Sequence, residues 1–179
     1  AVGADVEGKR VLDYCETNGV DCSHARVVDD ARTGSYLALL KPNGELETAI
    51  CDYEIMESVD SSYLLNNEDL LADARFVVID ATLSEPALRT LFELIDRHGV
   101  PVCADPTTAS LARRFLPYMK HLHMIAPNAL ETAELLGLNS PVNNRDKGLK
   151  AARQLGTLGP YISVVTMGEL GLAYADRSG

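Results

Sequence analysis

Four short stretches carry residue types that handle phosphate, metal-bound water or hydroxyl groups. Asp80 ends the apolar run Phe76-Val-Val-Ile, with Thr82 just after it. Asp105-Pro106-Thr107-Thr108 follows Val100-Pro-Val-Cys-Ala104, and Pro127-Asn128-Ala-Leu-Glu131 follows His123-Met-Ile-Ala126. Thr166-Met-Gly168-Glu-Leu-Gly171 follows Tyr161-Ile-Ser-Val-Val165. Asn128 and Glu131, at i and i+3, share one face of a helix. Their oxygens there suit the waters around a magnesium ion, a hard cation that keeps much of its hydration. The same pair is a capping box in its own right, and both readings stand. Thr166-x-Gly168-x-x-Gly171 reads as a backbone loop that approaches nucleotide phosphates, with the threonine hydroxyl as a further donor. It reads equally as the turn between two strands. Asp105-Pro106 doubles as a turn or helix start, and Asp80 as a solvated strand end.

These residues have meaning only if the chain between them brings them to one place. The runs 76–80, 100–104, 123–126 and 161–165 read as strands, and Leu172–Ala175 as one more. Between them, Glu85–His98 reads as a helix with Pro86 in its first turn and Gly99 past its end. Ser110–Tyr118 reads as a short helix, Asn128–Leu136 as a helix stopped by Gly137, and Arg145–Leu155 as another. Apolar strands alternating with helices predict a parallel sheet covered on both faces. Ligands of such sheets bind beyond the carboxyl ends of the strands, where all four polar stretches fall. Upstream, Asp5–Asn18 reads as a helix with Val11, Leu12, Tyr14 and Cys15 clustered on one side and Gly19 as its stop. Ser35–Leu40 and Glu45–Asp52, joined by Lys41-Pro-Asn-Gly44, read as a projecting hairpin. Glu68, Asp69 and Asp73 read as a solvated helix face. His24, His98, His121 and His123 show no mutual spacing, and His123 reads as a strand-flanking residue.

Composition narrows the partners. The chain has 179 residues, enough for one domain with a sizeable core, and a formal net charge of −10. That charge is repelled by phosphate backbones and anionic membrane surfaces, which argues against nucleic acid and membrane partners. No apolar stretch reaches membrane-spanning length. Cys15, Cys22, Cys51 and Cys103 form no C-x-x-C pair and no metal-ligand spacing. Read as reduced thiols, they suit the cytoplasm.

The order of these features resembles the PfkB/ribokinase family over essentially the whole chain. Ala1-Val-Gly-Ala-Asp5-Val-Glu-Gly8 is similar to the family's VGxDxxG helix start, and Asn18-Gly-Val-Asp21 to its xGVD step. Thr33-Gly34 and the hairpin after it resemble the substrate lid. Asp105-Pro106, Pro127-Asn128-x-x-Glu131 and Thr166-x-Gly168-x-x-Gly171 follow in family order and spacing. Pseudouridine kinases are the members it resembles most. Ser35-Tyr36-Leu37-Ala38 and Ala49-Ile50-x-Asp52-x-x-Ile55 resemble their lid, and Ile79-Asp80-Ala-Thr82-Leu83-Ser84 their D-A-N-L-S/T step. Thr82 stands where that pattern has Asn.

The resemblance implies a three-layer α/β/α fold with a mostly parallel sheet and a small β-hairpin lid at about residues 33–55. It implies transfer of a phosphoryl group from ATP to a primary hydroxyl of a sugar or ribonucleoside. Asn128 and Glu131 are then expected at magnesium, and Asn128, Thr166, Gly168 and Gly171 at the nucleotide. Tyr36, Ala38, Asp80, Thr82 and Asp105 are expected at the substrate. A monovalent cation is a further candidate, and the lid implies a homodimer. The family's G-A-G-D segment, which carries the catalytic aspartate, does not occur in the 179 residues. The expectation is therefore an internal part of a kinase domain, inactive alone, with no catalytic residue of its own. Two other classes are weighed. A dinucleotide-dependent oxidoreductase would place G-x-G-x-x-G between a first strand and helix, and no such motif occurs there. A non-catalytic nucleotide-binding module of the same fold would lack G-A-G-D in the full gene product.

Overall fold

A computed structural model describes residues 1–42, 44 and 46–177. They divide into two units, Ala1–Asn67 and Glu68–Gly179.

The first unit is organised by one carboxylate. Strand β1 (Val2–Gly3) leads into helix α1 (Val6–Thr17) and pairs in parallel with β2 (Val27–Val28). Asp5 caps α1 by accepting from the Gly8 N–H at 2.7 Å. It also accepts from the Thr33 N–H at 2.8 Å and the Thr33 hydroxyl at 2.7 Å. The Gly3 N–H in turn donates to Thr33 Oγ1 at 3.0 Å. The glycines leave room for this knot. A Cβ on Gly3 would lie 2.3 Å from the Ala31 carbonyl oxygen, and one on Gly8 only 2.1 Å from that of Gly3. The apolar side expected on α1 is left open, since Val11 and Tyr14 are exposed and Gly8 is the helix's buried residue.

Strands β3 (Ser35–Leu40) and β4 (Leu46–Asp52) form the expected antiparallel hairpin, in register from Ser35 with Asp52 to Ala38 with Ala49. The Gly44 N–H donates to the Lys41 carbonyl at 2.9 Å, and Gly44 takes a φ of 83° that a side chain would disfavour. Asn43 and Glu45 of the expected turn and strand start lie outside the described residues. Every residue of β3 is exposed. A 3₁₀ turn (Glu54–Ser58) and α2 (Ser61–Asn66), capped by Asp60, close the unit.

The second unit opens with α3 (Glu68–Asp73) and then alternates strand and helix. These are β5 (Val77–Asp80), α4 (Glu85–His98), β6 (Val102–Asp105), α5 (Ala109–Ala112), β7 (Leu122–Ile125), α6 (Ala129–Leu136), α7 (Arg145–Thr157), β8 (Ile162–Thr166) and β9 (Leu172–Asp176). The sheet order is β5-β6-β7-β8-β9, with the first four strands parallel and β9 antiparallel. Local chemistry sets the helix ends. Ser84 caps α4, Pro86 sits in its first turn, and Gly99 ends it at a φ of 66°. Its buried face is Ala87, Leu88, Leu91, Phe92, Leu94 and Ile95, the spacing of one helical stripe.

One expectation needs correction. The helix over Ser110–Tyr118 stops being α-helical at Ala112 and continues as a 3₁₀ segment over Arg113–His121. Pro117 lies inside that segment and has no N–H for an i→i−4 bond. The sheet is the expected mostly parallel one, and among the described residues one of its faces is the more buried. Ile79, Val102, Ala104, Ile125, Val165, Ala173 and Ala175 are buried with the cores of α4 and α7. The alternate positions, Val78, Cys103, Ile162, Val164, Leu172 and Tyr174, are exposed or half-buried.

The Asp5 knot has a pH signature. The Thr33 hydroxyl, then the Thr33 and Gly8 N–H groups, hold the Asp5 pKa down from 3.8 to about 2. A depressed carboxyl contributes stability that is full above 3.8 and fades as pH falls through about 2. Asp5→Asn should lower the thermal midpoint at neutral pH and flatten the acid limb of the stability curve. Thermal unfolding followed by circular dichroism across that window checks both.

Candidate active site

The parallel register delivers the four polar stretches to one edge. Asp80 pairs directly with Asp105 across β5 and β6. Asn128 bridges to Thr166, whose N–H donates to the Pro127 carbonyl at 2.9 Å. Between these pairs the Ala126 N–H donates to the Ala104 carbonyl at 3.1 Å. Asp80, Asp105, Asn128 and Thr166 therefore lie along the carboxyl edge of one sheet, as expected. Tyr36 and Ala38 share one face of β3 and belong to the first unit.

Each strand-end aspartate folds the chain after it. Asp80 Oδ1 accepts from the Thr82 N–H at 2.9 Å and from the Thr82 hydroxyl. Asp105 Oδ1 accepts from the Thr107 N–H at 2.8 Å. Both carboxylates stay exposed. Thr107, from the Asp105–Thr108 stretch, and Arg114, which no sequence pattern singled out, join this edge. Thr107 takes a φ of 67° and accepts from the Ala81 N–H at 3.1 Å. Arg114 donates to the carbonyls of Ala81 and Leu83 at 3.1 and 3.0 Å. Neither contact has a local signature, since the partners are 26 to 33 residues apart.

Asn128 and Glu131 form a complete capping box. Asn128 Oδ1 accepts from the Leu130 and Glu131 N–H groups at 2.9 and 3.0 Å, and Glu131 Oε2 accepts from the Asn128 N–H at 2.8 Å. The Asn128 amide adds a bond to Glu131 Oε1 at 2.7 Å. Glu131 is only 3% exposed. Burial pushes its carboxyl above the ordinary range, the Asn128 N–H pulls it back, and the nearby Asp105 charge pushes it up again.

Residues 1–179 match the description "pfkB family carbohydrate kinase". The chain belongs to the pfkB family. It is 31% identical to a pseudouridine kinase of Escherichia coli over all of this chain and 56% of that protein. It is 28% identical to a guanosine-inosine kinase of Exiguobacterium acetylicum over 97% of this chain and 56% of that one. The structure of an Arabidopsis thaliana ribokinase complexed with ribose and ATP superposes with a TM-score of 0.80 at 19% identity. That match covers 99% of this chain and 57% of the other. The fold is thus ribokinase-like, and the chain spans about 56% of the length of these curated relatives.

In this pfkB-family chain, Thr166-x-Gly168-x-x-Gly171 is the connection between β8 and β9. A 3₁₀ turn over Gly168–Leu170 is closed by the Met167 N–H on the Gly171 carbonyl at 2.9 Å. Gly168 and Gly171 take φ values of 56° and 88°, and a Cβ on either would meet nothing within 4 Å. Backbone conformation demands these glycines, and the open space beside them admits a ligand. Met167 anchors the turn, because a Cβ on Gly148 of α7 would lie 2.4 Å from its sulfur.

The donor chemistry at Asn128, Glu131 and Asp105 fits magnesium held through water. The free lone pairs are on the hard oxygens of Glu131 and Asp105, while the Asn128 oxygen is taken up by two N–H groups and its amide orients Glu131; a cation would relieve the repulsion that Asp105 and Glu131 exert on each other. Among the described residues no group of three or more His, Cys, Asp or Glu forms a direct cage. Asn128→Ala removes the acceptor for two N–H groups at the start of α6 and should cost about 1 kcal/mol. Chemical denaturation of variant and wild type side by side measures it.

Proposed function

We propose that the full-length protein is an ATP-dependent kinase acting on the primary hydroxyl of a sugar or ribonucleoside, with pseudouridine as the first candidate. The observation that carries this reading is the alignment of Asp80, Asp105, Asn128 and Thr166 on one sheet edge, in a chain matched end to end by a carbohydrate-kinase family. Similarity to the named pseudouridine and guanosine-inosine kinases supports a nucleoside. A ribokinase- or fructokinase-type sugar kinase is the second reading, favoured by Thr82 at the position where the pseudouridine-kinase pattern has Asn. The four free cysteines support a reducing, cytoplasmic setting.

In-line phosphoryl transfer depends mostly on positioning and charge stabilisation. The Thr166 hydroxyl and the backbone of Gly168 and Gly171 line the nucleotide phosphates, beside Asn128. Asp80, Thr82 and Asp105 orient the substrate hydroxyls, and Tyr36 and Ala38 are the lid's contribution. Glu131, oriented by Asn128, would hold a magnesium ion through its waters, and the ion would supply neutralisation of phosphate charge; a monovalent cation is a further candidate. The proton acceptor for the substrate hydroxyl is assigned to the aspartate of a G-A-G-D segment, which these 179 residues do not contain. Loss of even one preorganised donor costs about 100-fold in rate, so the 179 residues alone should be inactive.

The test is full-length protein incubated with ATP, magnesium and either pseudouridine or ribose. Faster phosphorylation of pseudouridine is expected, and turnover of ribose alone would select the second reading. Glu131→Gln should lower turnover and raise the magnesium requirement, with some loss of stability because its amide nitrogen replaces one of the two oxygens that accept from Asn128. Wild-type kinetics in that variant would reduce the Asn128–Glu131 pair to a helix cap. Sugar phosphate made at an ordinary kinase rate by the 179 residues alone would show that the catalytic centre is misplaced.

The hairpin supports self-association through the lid. Leu37 is 61% and Ile50 66% exposed, and they pair across β3 and β4. A two-stranded ribbon is marginal in water unless one apolar face is covered. The expected result is a dimer by light scattering at micromolar concentration, converted to monomer by Ile50→Lys. A wild-type monomer would remove the lid interface.

A further inference from the structure

We propose that Thr107 is a positioning residue, a latch that holds the Asp80–Leu83 loop against the Asp105 loop and so sets the spacing of the two substrate-facing carboxylates. This rests on the kinase reading of the site. Among the described residues Thr107 is the one non-glycine with a positive φ, at 67°. That region disfavours β-branched side chains most strongly, and such strain persists only where the surroundings hold it. Glycine or asparagine would occupy this backbone at less cost, so the threonine side chain must supply something they lack.

The hydroxyl supplies a bridge. Its oxygen accepts from the Ala81 N–H at 3.1 Å and donates to the Asp105 carbonyl at 3.4 Å. The Thr107 N–H donates to Asp105 Oδ1 at 2.8 Å. Ala81 is fully buried, so its N–H has no water to turn to when that bond is lost. Arg114 completes the clamp by donating to the Ala81 and Leu83 carbonyls. The backbone of Ala81 is thus held at its N–H by Thr107 and at its carbonyl by Arg114. Asp80 and Thr82, the residues on either side, are those assigned to the substrate. The latch works at the end of a β-register pair that sets two aspartates side by side, Asp80 with Asp105.

Three variants of the full-length protein separate this role from plain stability. Thr107→Val keeps shape and strain but removes the hydroxyl. Thr107→Ser keeps the hydroxyl, and Thr107→Gly relieves the strain while removing it. The readouts are exchange of the Ala81 amide by NMR, and KM and kcat for the accepted nucleoside or sugar. Thr107→Val should speed Ala81 exchange and raise the substrate KM, each roughly tenfold, the equivalent of one hydrogen bond. The KM for ATP should stay as it is. Thr107→Ser should restore both values. Thr107→Gly should show the raised KM even though its backbone is relaxed.

Unchanged Ala81 exchange in Thr107→Val would show that the bond is not made. Faster exchange with a wild-type KM would make Thr107 structural only. Either result overturns the proposal, as does failure of Thr107→Ser to restore. If wild-type protein phosphorylates neither pseudouridine nor ribose, the kinase reading falls, while Ala81 exchange in the same samples still decides whether the latch exists.

Discussion

Parallel pairing of β5 through β8, with one register shift between β6 and β7 at Val102/Cys103, is the constraint on which the candidate site depends. A parallel ladder makes every strand run the same way, so every chain exit lies on one edge. The Asp80–Asp105 pair and the Asn128–Thr166 bridge are that rule expressed in side chains. Each crossover returns the chain to the far edge through a helix or 3₁₀ segment, so the polar residues after each strand come to the same edge although up to 86 residues separate them, from Asp80 to Thr166. A one-residue slip of any strand would turn its side chains to the opposite face. The alternation of buried Ile79, Ala104, Ile125 and Val165 with less buried neighbours resists that slip.

Convergence has an electrostatic consequence. It brings Asp105 close enough to Glu131 to raise the latter's pKa, on top of a burial that already does so. The capping box offsets part of that cost by giving Glu131 two bonds from Asn128. The cap and the proposed water-mediated magnesium role are therefore compatible: the bonds that start α6 also fix the orientation of the buried carboxylate. The two glycines of the β8–β9 connection follow the same logic. They satisfy a hairpin turn and leave its backbone uncrowded on the site edge.

Burial is distributed unevenly. The buried side of the second unit's sheet is continuous, from Ile79 to Ala175, while Val78, Leu172 and Tyr174 on the other side stay open. In the first unit, the hairpin exposes apolar residues on both faces, and α1 exposes Val11 and Tyr14. Apolar surface of this extent calls for cover, and for the hairpin the proposed cover is a second copy of the chain.

Local chemistry was enough to place the ends of α4 and α6 and the polar residues at the strand ends. Ser84, Pro86 and Gly99 bracket α4, and Asn128, Glu131 and Gly137 bracket α6, because caps and left-handed stops act within a few residues. The strand-then-polar pattern located Asp80, Asp105, Asn128 and Thr166 because a parallel sheet leaves only one edge for them. Other features had no such signature. The Asp5–Thr33 knot, the crowding that demands Gly3 and Gly8, the Arg114 clamp and the left-handed Thr107 all depend on partners far away in sequence. The sequence by itself determined the order of elements and which residues stand at strand ends, since both follow from short-range periodicity and capping. Only the tertiary structure decided which of those residues touch, which face is buried and where strain is held, because those depend on long-range packing that no local pattern encodes.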